Sequence, residues 1–137
     1  ARYLEKTKES AARLGYTTTY FGRKRYFPGM KSPLPFIRAS AERMAINAPL
    51  QGTQSDIIKI AMSCIHDLFH TEYPGRAAIV LQIHDELIFE LDESLVQEVT
   101  PKVKALMEQV LTRAETNGVS ILVSAEAGPN WAELDAV

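Results

Sequence analysis

Apolar residues recur at helical spacing at the start of the chain, where Tyr3, Leu4, Ala11 and Leu14 predict a helix over residues 2–14 that Gly15 is placed to stop. The pattern then changes period. Residues 16–21 are β-branched or aromatic, 22–24 can turn and 25–27 can return, which predicts a small basic hairpin ended by Pro28-Gly29. A proline-punctuated loop over 29–35 leads to a helix at about 38–47 that Pro49 is expected to interrupt or end. Gly52-Thr53 opens a second helix, 53–70, with Ile57, Ile58, Ala61, Cys64, Ile65, Leu68 and Phe69 along one stripe. After Tyr73-Pro74-Gly75, two strand-like runs, 77–83 and 87–91, are joined by His84-Asp85-Glu86. Asp92 is placed to cap a helix over 92–114, striped by Leu95, Val96, Val99, Val103, Leu106, Met107 and Val110, with a kink or restart at Pro101. Residues 120–125 read as a last strand, and Gly128-Pro129 turns the chain into a short tail around Trp131. The fold class that follows is α+β, an antiparallel sheet centred on the 77–91 hairpin with the 53–70 and 92–114 helices packed against it.

A chain of 137 residues, 46% apolar, is long enough to bury a core of useful size. Its apolar runs are too short to span a bilayer and its charged N-terminus has no secretory pattern, so no membrane partner and a cytoplasmic address are expected. The single cysteine, Cys64, lies among Ile60, Ala61, Ile65 and Leu68 and reads as a buried reduced thiol. The tetrapeptide His84-Asp85-Glu86-Leu87 spells a retention signal that is read only at a C-terminus, and here it is internal. The net charge of −2 conceals a strong asymmetry: residues 1–43 hold ten Lys/Arg against three Glu, and the remainder holds five against fourteen Asp/Glu. One surface can therefore face a polyanion while another houses acidic groups, although a basic segment that merely stays solvated has the same composition.

The sharpest chemical signal is Gln82-Ile83-His84-Asp85-Glu86-Leu87-Ile88-Phe89-Glu90, in which a histidine and two adjacent carboxylates interrupt an apolar strand pair. Short hairpin loops favour Asn-Gly or Asp-Gly, so turn chemistry alone does not select Asp85-Glu86. A divalent cation does, because Mg²⁺ is commonly held by one or two carboxylates with phosphates and waters completing the octahedron. The residues alone leave open an ordinary solvated acidic turn. Upstream, Arg43, Asn47 and Gln51 are spaced by four and would form a row of donors if the helix persists near Pro49. Such a row can test base-pair geometry through minor-groove acceptors without reading sequence. The alternatives are an Arg43 pairing with Glu42, a helix-ending Asn47 and a loop Gln51. Arg23, Lys24, Arg25 and Arg38 are candidates for sequence-independent phosphate contacts, or for a solvated basic turn. His66-Asp67-Leu68-Phe69-His70 has the i, i+4 histidines of a zinc-protease helix, but Asp67 is a methylene shorter than the glutamate base of such sites. The one remaining histidine, His84, belongs to the hairpin and supplies no third ligand, so the pair reads as surface histidines.

The His84-Asp85-Glu86 stretch resembles motif C of the family A, polymerase I-like DNA polymerases. The likeness extends to Ala41-Glu42-Arg43-Met44-Ala45-Ile46-Asn47-Ala48-Pro49-Leu50-Gln51-Gly52-Thr53, to Ser55-Asp56-Ile57-Ile58-Lys59, to Gly22-Arg23-Lys24-Arg25-Tyr26-Phe27-Pro28 and to Gly128-Pro129-Asn130-Trp131, in the family's order. The resemblance implies a palm-like sheet and template-directed addition of deoxynucleoside triphosphates to a primer. Residues 1–52 would be a fingers-side helix, basic hairpin and DNA-facing helix, and 53–137 the palm with the motif C hairpin. Asp85 would be a catalytic Mg²⁺ ligand, Glu86 would support the metal site and His84 would lie near the primer terminus. Arg43, Asn47 and Gln51 would meet the primer-template end. The family's second metal-binding aspartate and its nucleotide-binding fingers helix have no counterpart in this sequence. The chain is therefore expected to be an incomplete polymerase, inactive alone and dependent on an upstream polymerase portion. The rival expectation is a DNA-binding or assembly module with no catalytic duty.

Overall fold

A computed structural model of the protein describes residues 2–137, in the order α1 (Arg2–Leu14), β1 (Tyr16–Thr18), β2 (Lys24–Tyr26), α2 (Pro35–Glu72), β3 (Ala77–Ile83), β4 (Glu86–Leu91), α3 (Val96–Glu108), β5 (Glu126–Asn130) and β6 (Glu133–Ala136). The fold is α+β, with three antiparallel two-stranded sheets, β1-β2, β3-β4 and β5-β6. The chain forms two compact units that divide between Asp56 and Ile57. No helix among the described residues is long and apolar enough to cross a membrane.

In the first unit, Gly15 adopts a φ of 80° and donates its N–H to the Ala11 carbonyl at 2.8 Å, the glycine stop that the sequence predicts for α1. Of the predicted α1 stripe only Ala11 is buried, because its neighbours in the core are small: Ala41, Ala45 and Ala48 of α2, with Phe27 and Met30 from the segment between. Alanines allow close backbone approach and leave Tyr3, Leu4 and Leu14 about half exposed. The basic hairpin is registered Tyr16↔Tyr26, Thr17↔Arg25 and Thr18↔Lys24, so Lys24 belongs to the returning strand rather than the turn.

The largest departure from expectation is that Pro49 neither interrupts nor ends a helix. The two helices predicted at 38–47 and 53–70 are one, α2, with Pro49 inside it. Proline cannot donate to the carbonyl four residues back and costs about 3 kcal/mol relative to alanine in a helix interior. Burial of Ala45 and Ala48 just before it offsets that cost, and the Thr53 hydroxyl donates to the Pro49 carbonyl at 2.6 Å.

In the second unit, Ile58, Ala61, Ile65, Phe69 and Tyr73 pack with Leu95, Val99, Val103 and Met107, and one face of the β3-β4 hairpin covers them through Ala77, Ile79, Leu87, Phe89 and Leu91. Phe69 meets Phe89 edge to face, with ring centroids 5.6 Å apart. Cys64 is exposed rather than buried, since the buried positions 58, 61, 65 and 69 define a narrower stripe that leaves it at the edge. The predicted 92–114 helix is shorter at both ends. Asp92 makes no side-chain cap; its carboxylate takes the Arg76 Nε–H at 2.6 Å, and a 3₁₀ turn, Glu93–Leu95, precedes α3. The helix stops at Glu108, ahead of a reciprocal pair in which the Thr112 N–H donates to Glu115 Oε2 at 2.8 Å and the Glu115 N–H to Thr112 Oγ1 at 3.3 Å. That is the pattern that begins a new helical turn.

The strand predicted at 120–125 is absent, although burial still alternates along Ile121, Leu122, Val123 and Ser124. A strand needs a backbone partner, and the Val123 N–H is taken instead by the Glu108 carboxylate at 2.9 Å. Gly128-Pro129 is not a turn but lies within β5. The turn is Trp131-Ala132, where Asn130 Oδ1 accepts the Ala132 N–H at 3.0 Å, so the expected tail is a hairpin. Gly128 is required there because the Glu133 carbonyl occupies the place of any Cβ.

Candidate metal site and nucleic-acid interface

Pairing of Ile83 with Glu86 leaves a loop of two residues, His84 and Asp85, one fewer than the three-residue tip expected from the sequence. Glu86 is the first residue of β4. Two-residue hairpin loops need a positive φ, and with no glycine available His84 supplies it, at 53°. A non-glycine residue there costs about 1–2 kcal/mol, a local strain of the kind that clusters at functional sites. The Gln82 amide braces the turn by donating Nε2–H to the His84 carbonyl at 2.6 Å.

Register shifts once in this hairpin, between Ile79 and Leu81, so Val80 is an inserted residue. Before it, Ala77 and Ile79 pair with Leu91 and Phe89 on the core face. After it, Gln82 pairs with Leu87 on that face, while Leu81, Ile83, Ile88 and Glu86 share the other. Without the bulge every residue of β3 beyond it would change face. His84, Asp85 and Glu86 are all exposed, and Val80 and Leu81 are 57% and 42% exposed. The tip thus offers two adjacent hard oxygen donors, a set that suits Mg²⁺. No group of three or more His, Cys, Asp or Glu gathers among the described residues.

Continuity of α2 through Pro49 satisfies the condition on which the donor row depended. Arg43, Asn47 and Gln51 are exposed on a single helix, opposite the buried Ala41, Ala45 and Ala48. Each step of four residues advances about 6 Å along the axis and about 40° around it, so the three side chains rise on one side. Glu42 pairs with Lys8 at 2.7 Å, not with Arg43. Among the described residues, Arg43, Asn47 and Gln51 make no side-chain hydrogen bond or ion pair and remain available to an external acceptor.

The four other basic candidates differ from one another. Lys24 lies 4.7 Å above the Tyr16 ring and Arg25 5.6 Å above the Phe27 ring, contacts that orient an exposed cation and leave its charge unpaired. Among the described residues, the Arg38 side chain hydrogen-bonds only the Ser32 carbonyl, at 3.4 Å. Arg23, by contrast, is engaged within the unit: its Nε–H meets Asp56 at 2.8 Å and its Nη2 donates to the Gly52 carbonyl at 3.0 Å. Nothing in the sequence links the two residues, which lie 33 positions apart. His66 and His70 stack with ring centroids 6.2 Å apart on the exposed side of α2, and among the described residues no third ligand gathers around them.

The second unit also holds a polar network that sequence reasoning missed. Tyr73 donates its hydroxyl proton to Glu98 at 2.5 Å, and the Lys102 ammonium reaches Glu72 at 2.7 Å, Tyr73 Oη at 2.5 Å and Glu98 at 3.2 Å. The bond from Tyr73, then that from Lys102, holds the Glu98 carboxyl below its usual range. Glu72, then Tyr73, pushes the Lys102 ammonium above its usual range, and the bond to Glu98 raises the Tyr73 phenol.

Residues 1–133 match the family model described as DNA polymerase family A. The chain belongs to DNA polymerase family A. It is similar to DNA polymerase I of Pseudomonas aeruginosa, with 42% identity over 96% of this chain and 14% of that protein. The thermostable DNA polymerase I of Thermus filiformis is 40% identical over 96% of this chain and 15% of its own length. A solved structure, the POL domain of Pol1 from M. smegmatis in complex with DNA primer-template and dNTP, superposes with a TM-score of 0.76 at 39% identity, covering 81% of this chain and 19% of that one. The chain therefore spans about one-seventh of the family A polymerases it matches, as the motif C resemblance had implied.

Proposed function

We propose that this chain supplies part of a template-directed DNA polymerase, with the β3-β4 tip contributing to a Mg²⁺ site and the donor row of α2 meeting the primer-template duplex. The observation that carries this reading is the exposed Asp85-Glu86 pair, held on a strained two-residue turn at the end of a bulged hairpin in a family A chain. Asp85 and Glu86 would hold the cation. When bound, Mg²⁺ favours ionisation of a primer 3′-hydroxyl and neutralises charge on a departing pyrophosphate. His84 stands beside these carboxylates, where its exposed ring can meet a primer end. Arg43, Asn47 and Gln51 donate to acceptors that all base pairs present alike in the minor groove, which suits binding of any sequence. Lys24, Arg25 and Arg38 add phosphate contacts. With two carboxylates gathered at the tip, the remaining ligands must come from the substrate and from an upstream polymerase portion, and the chain alone is inactive.

The test is Asp85→Ala in the polymerase that carries this segment, read by Mg²⁺-dependent primer extension and by primer-template affinity. Extension falls by at least about 100-fold, the order expected for loss of a preorganised charge-stabilising group, while affinity stays within about threefold. Unchanged extension would instead identify the chain as a DNA-binding or assembly module.

A further inference from the structure

We infer that Arg23 and Asp56 are positioning residues for the DNA-binding surface rather than parts of it. This inference rests on the reading that the basic hairpin and the α2 row contact DNA. Three ties join the hairpin turn to the stretch of α2 at Pro49 to Asp56. The first is the Arg23 guanidinium, bridging the Asp56 carboxylate at 2.8 Å and the Gly52 carbonyl at 3.0 Å. The second is a relay in which the Tyr20 N–H donates to Thr53 Oγ1 at 2.9 Å and that hydroxyl donates to the Pro49 carbonyl at 2.6 Å. The third is steric: a Cβ on Gly52 would lie 2.6 Å from Thr19 Cγ2, so the absence of a side chain at Gly52 permits the approach.

The Asp56 side chain is only 12% exposed and its second oxygen is buried without a partner, so this carboxylate depends on Arg23 for its compensating charge. The ties have a directional consequence. Lys24 and Arg25 follow Arg23 immediately in the chain, and Gln51, the last donor of the row, precedes Gly52. The cleft lined by Thr17, Thr18, Thr19, Arg23, Arg25, Gln51, Gly52 and Ser55 is where hairpin and row meet, with a volume of about 200 Å³. Arg23 therefore fixes how the two free cations of the hairpin stand relative to Gln51.

A positioning role and a phosphate-contact role make opposite predictions for Asp56, because its removal deletes a negative charge. If Arg23 contacts phosphate, Asp56→Ala releases its guanidinium and tightens DNA binding. If the clamp positions the hairpin, Asp56→Ala weakens binding despite the favourable charge change. The experiment measures primer-template affinity against salt for Arg23→Gln, Asp56→Ala and their double variant in the polymerase carrying this segment. Thr53→Val accompanies them as an uncharged break in the second tie, with circular dichroism as a check on folding. Each single variant should weaken binding by roughly fivefold, the double variant should be little worse than either, and Thr53→Val should shift affinity in the same direction. Tighter binding by Asp56→Ala, or additive losses in the double variant, overturns the inference; should Asp56→Ala fail to fold, unchanged affinity in Thr53→Val does so. Lys24→Gln/Arg25→Gln serves as the control for the underlying reading. If that variant leaves affinity unchanged, the DNA-contact reading of the hairpin fails; if it weakens binding while Asp56→Ala does not, only the clamp fails.

Discussion

Gly52→Ala sets two effects of similar size against each other, and the structure decides between them. A glycine inside a helix costs about 1 kcal/mol relative to alanine, so propensity alone predicts that the substitution stabilises. The new Cβ, however, would stand 2.6 Å from Thr19 Cγ2, where carbon atoms ordinarily rest about 3.5–4.0 Å apart. The turn must open by about 1 Å. Thr19 cannot simply rotate away, because it is buried and its Oγ1 accepts the Arg23 N–H at 3.2 Å. Its backbone is fixed as well: its N–H reaches the Arg23 carbonyl at 2.9 Å and its own carbonyl takes the Gly22 N–H at 3.0 Å. Overpacking of this kind costs about 1–3 kcal/mol, and loosening the charged bond from Arg23 to the Gly52 carbonyl adds about 1 kcal/mol or more. The net expectation is destabilisation by about 1–3 kcal/mol, read as a lowered urea midpoint at constant m-value. Thr19→Ser removes the clashing methyl and keeps the hydroxyl, so in that background Gly52→Ala should stabilise by about 1 kcal/mol. A Gly52→Ala variant more stable than the parent with Thr19 intact would refute the reasoning.

Ile65→Ala, at a fully buried position in the centre of the second unit's core, should cost about 3 kcal/mol in urea unfolding, and a loss under 1 kcal/mol would mean that this core is not packed as described. Pro49→Ala restores a donor to the Ala45 carbonyl and should stabilise by about 1–2 kcal/mol, less than the full helix penalty because proline also stiffens the unfolded chain; a destabilised variant would show that the ring itself is required. The Tyr73-Glu98-Lys102 network should shape stability at both ends of the pH scale. Because Glu98 titrates below its ordinary 4.5 in the folded state, its contribution is present above 4.5 and lost as pH falls through the lowered value. Lys102 titrates above its ordinary 10.5, so its contribution is present below 10.5 and lost as pH rises through the raised value. Glu98→Gln should flatten chiefly the acid limb of stability against pH and Lys102→Met chiefly the alkaline limb, each with a smaller effect on the other limb because the two groups shift one another, and unchanged limbs would show that the network does not form.

Much of the fold was legible because local pattern and tertiary packing agree. The α1 stop at Gly15, the stripe of Ile58, Ala61, Ile65 and Phe69, and the strands flanking His84-Asp85 all follow from periodicity. The failures occur where a long-range partner overrides a local rule. Pro49 reads as a break, yet Ala45 and Ala48 are buried and Thr53 returns a bond to it, so the helix continues. Asp92 reads as a cap, but Arg76 takes it. The run 120–125 alternates like a strand, but Glu108 occupies a backbone donor that a ladder would need. Arg23 illustrates the same limit in the candidate site: its sequence neighbours show only a basic turn, and the carboxylate it pairs with, Asp56, comes 33 residues later. The Val80 bulge, which decides the face that Glu86 shares, leaves no local signature either, because each residue around it is an ordinary strand former.

The most direct test of the central claim is complementation: Mg²⁺-dependent primer extension by this chain alone, by the upstream polymerase portion alone and by the two together, with Asp85→Ala and Arg43→Ala versions of this chain. Extension only in the mixture, abolished by Asp85→Ala and reduced through weaker primer-template binding by Arg43→Ala, is the predicted result. Extension that is indifferent to Asp85→Ala would contradict the account.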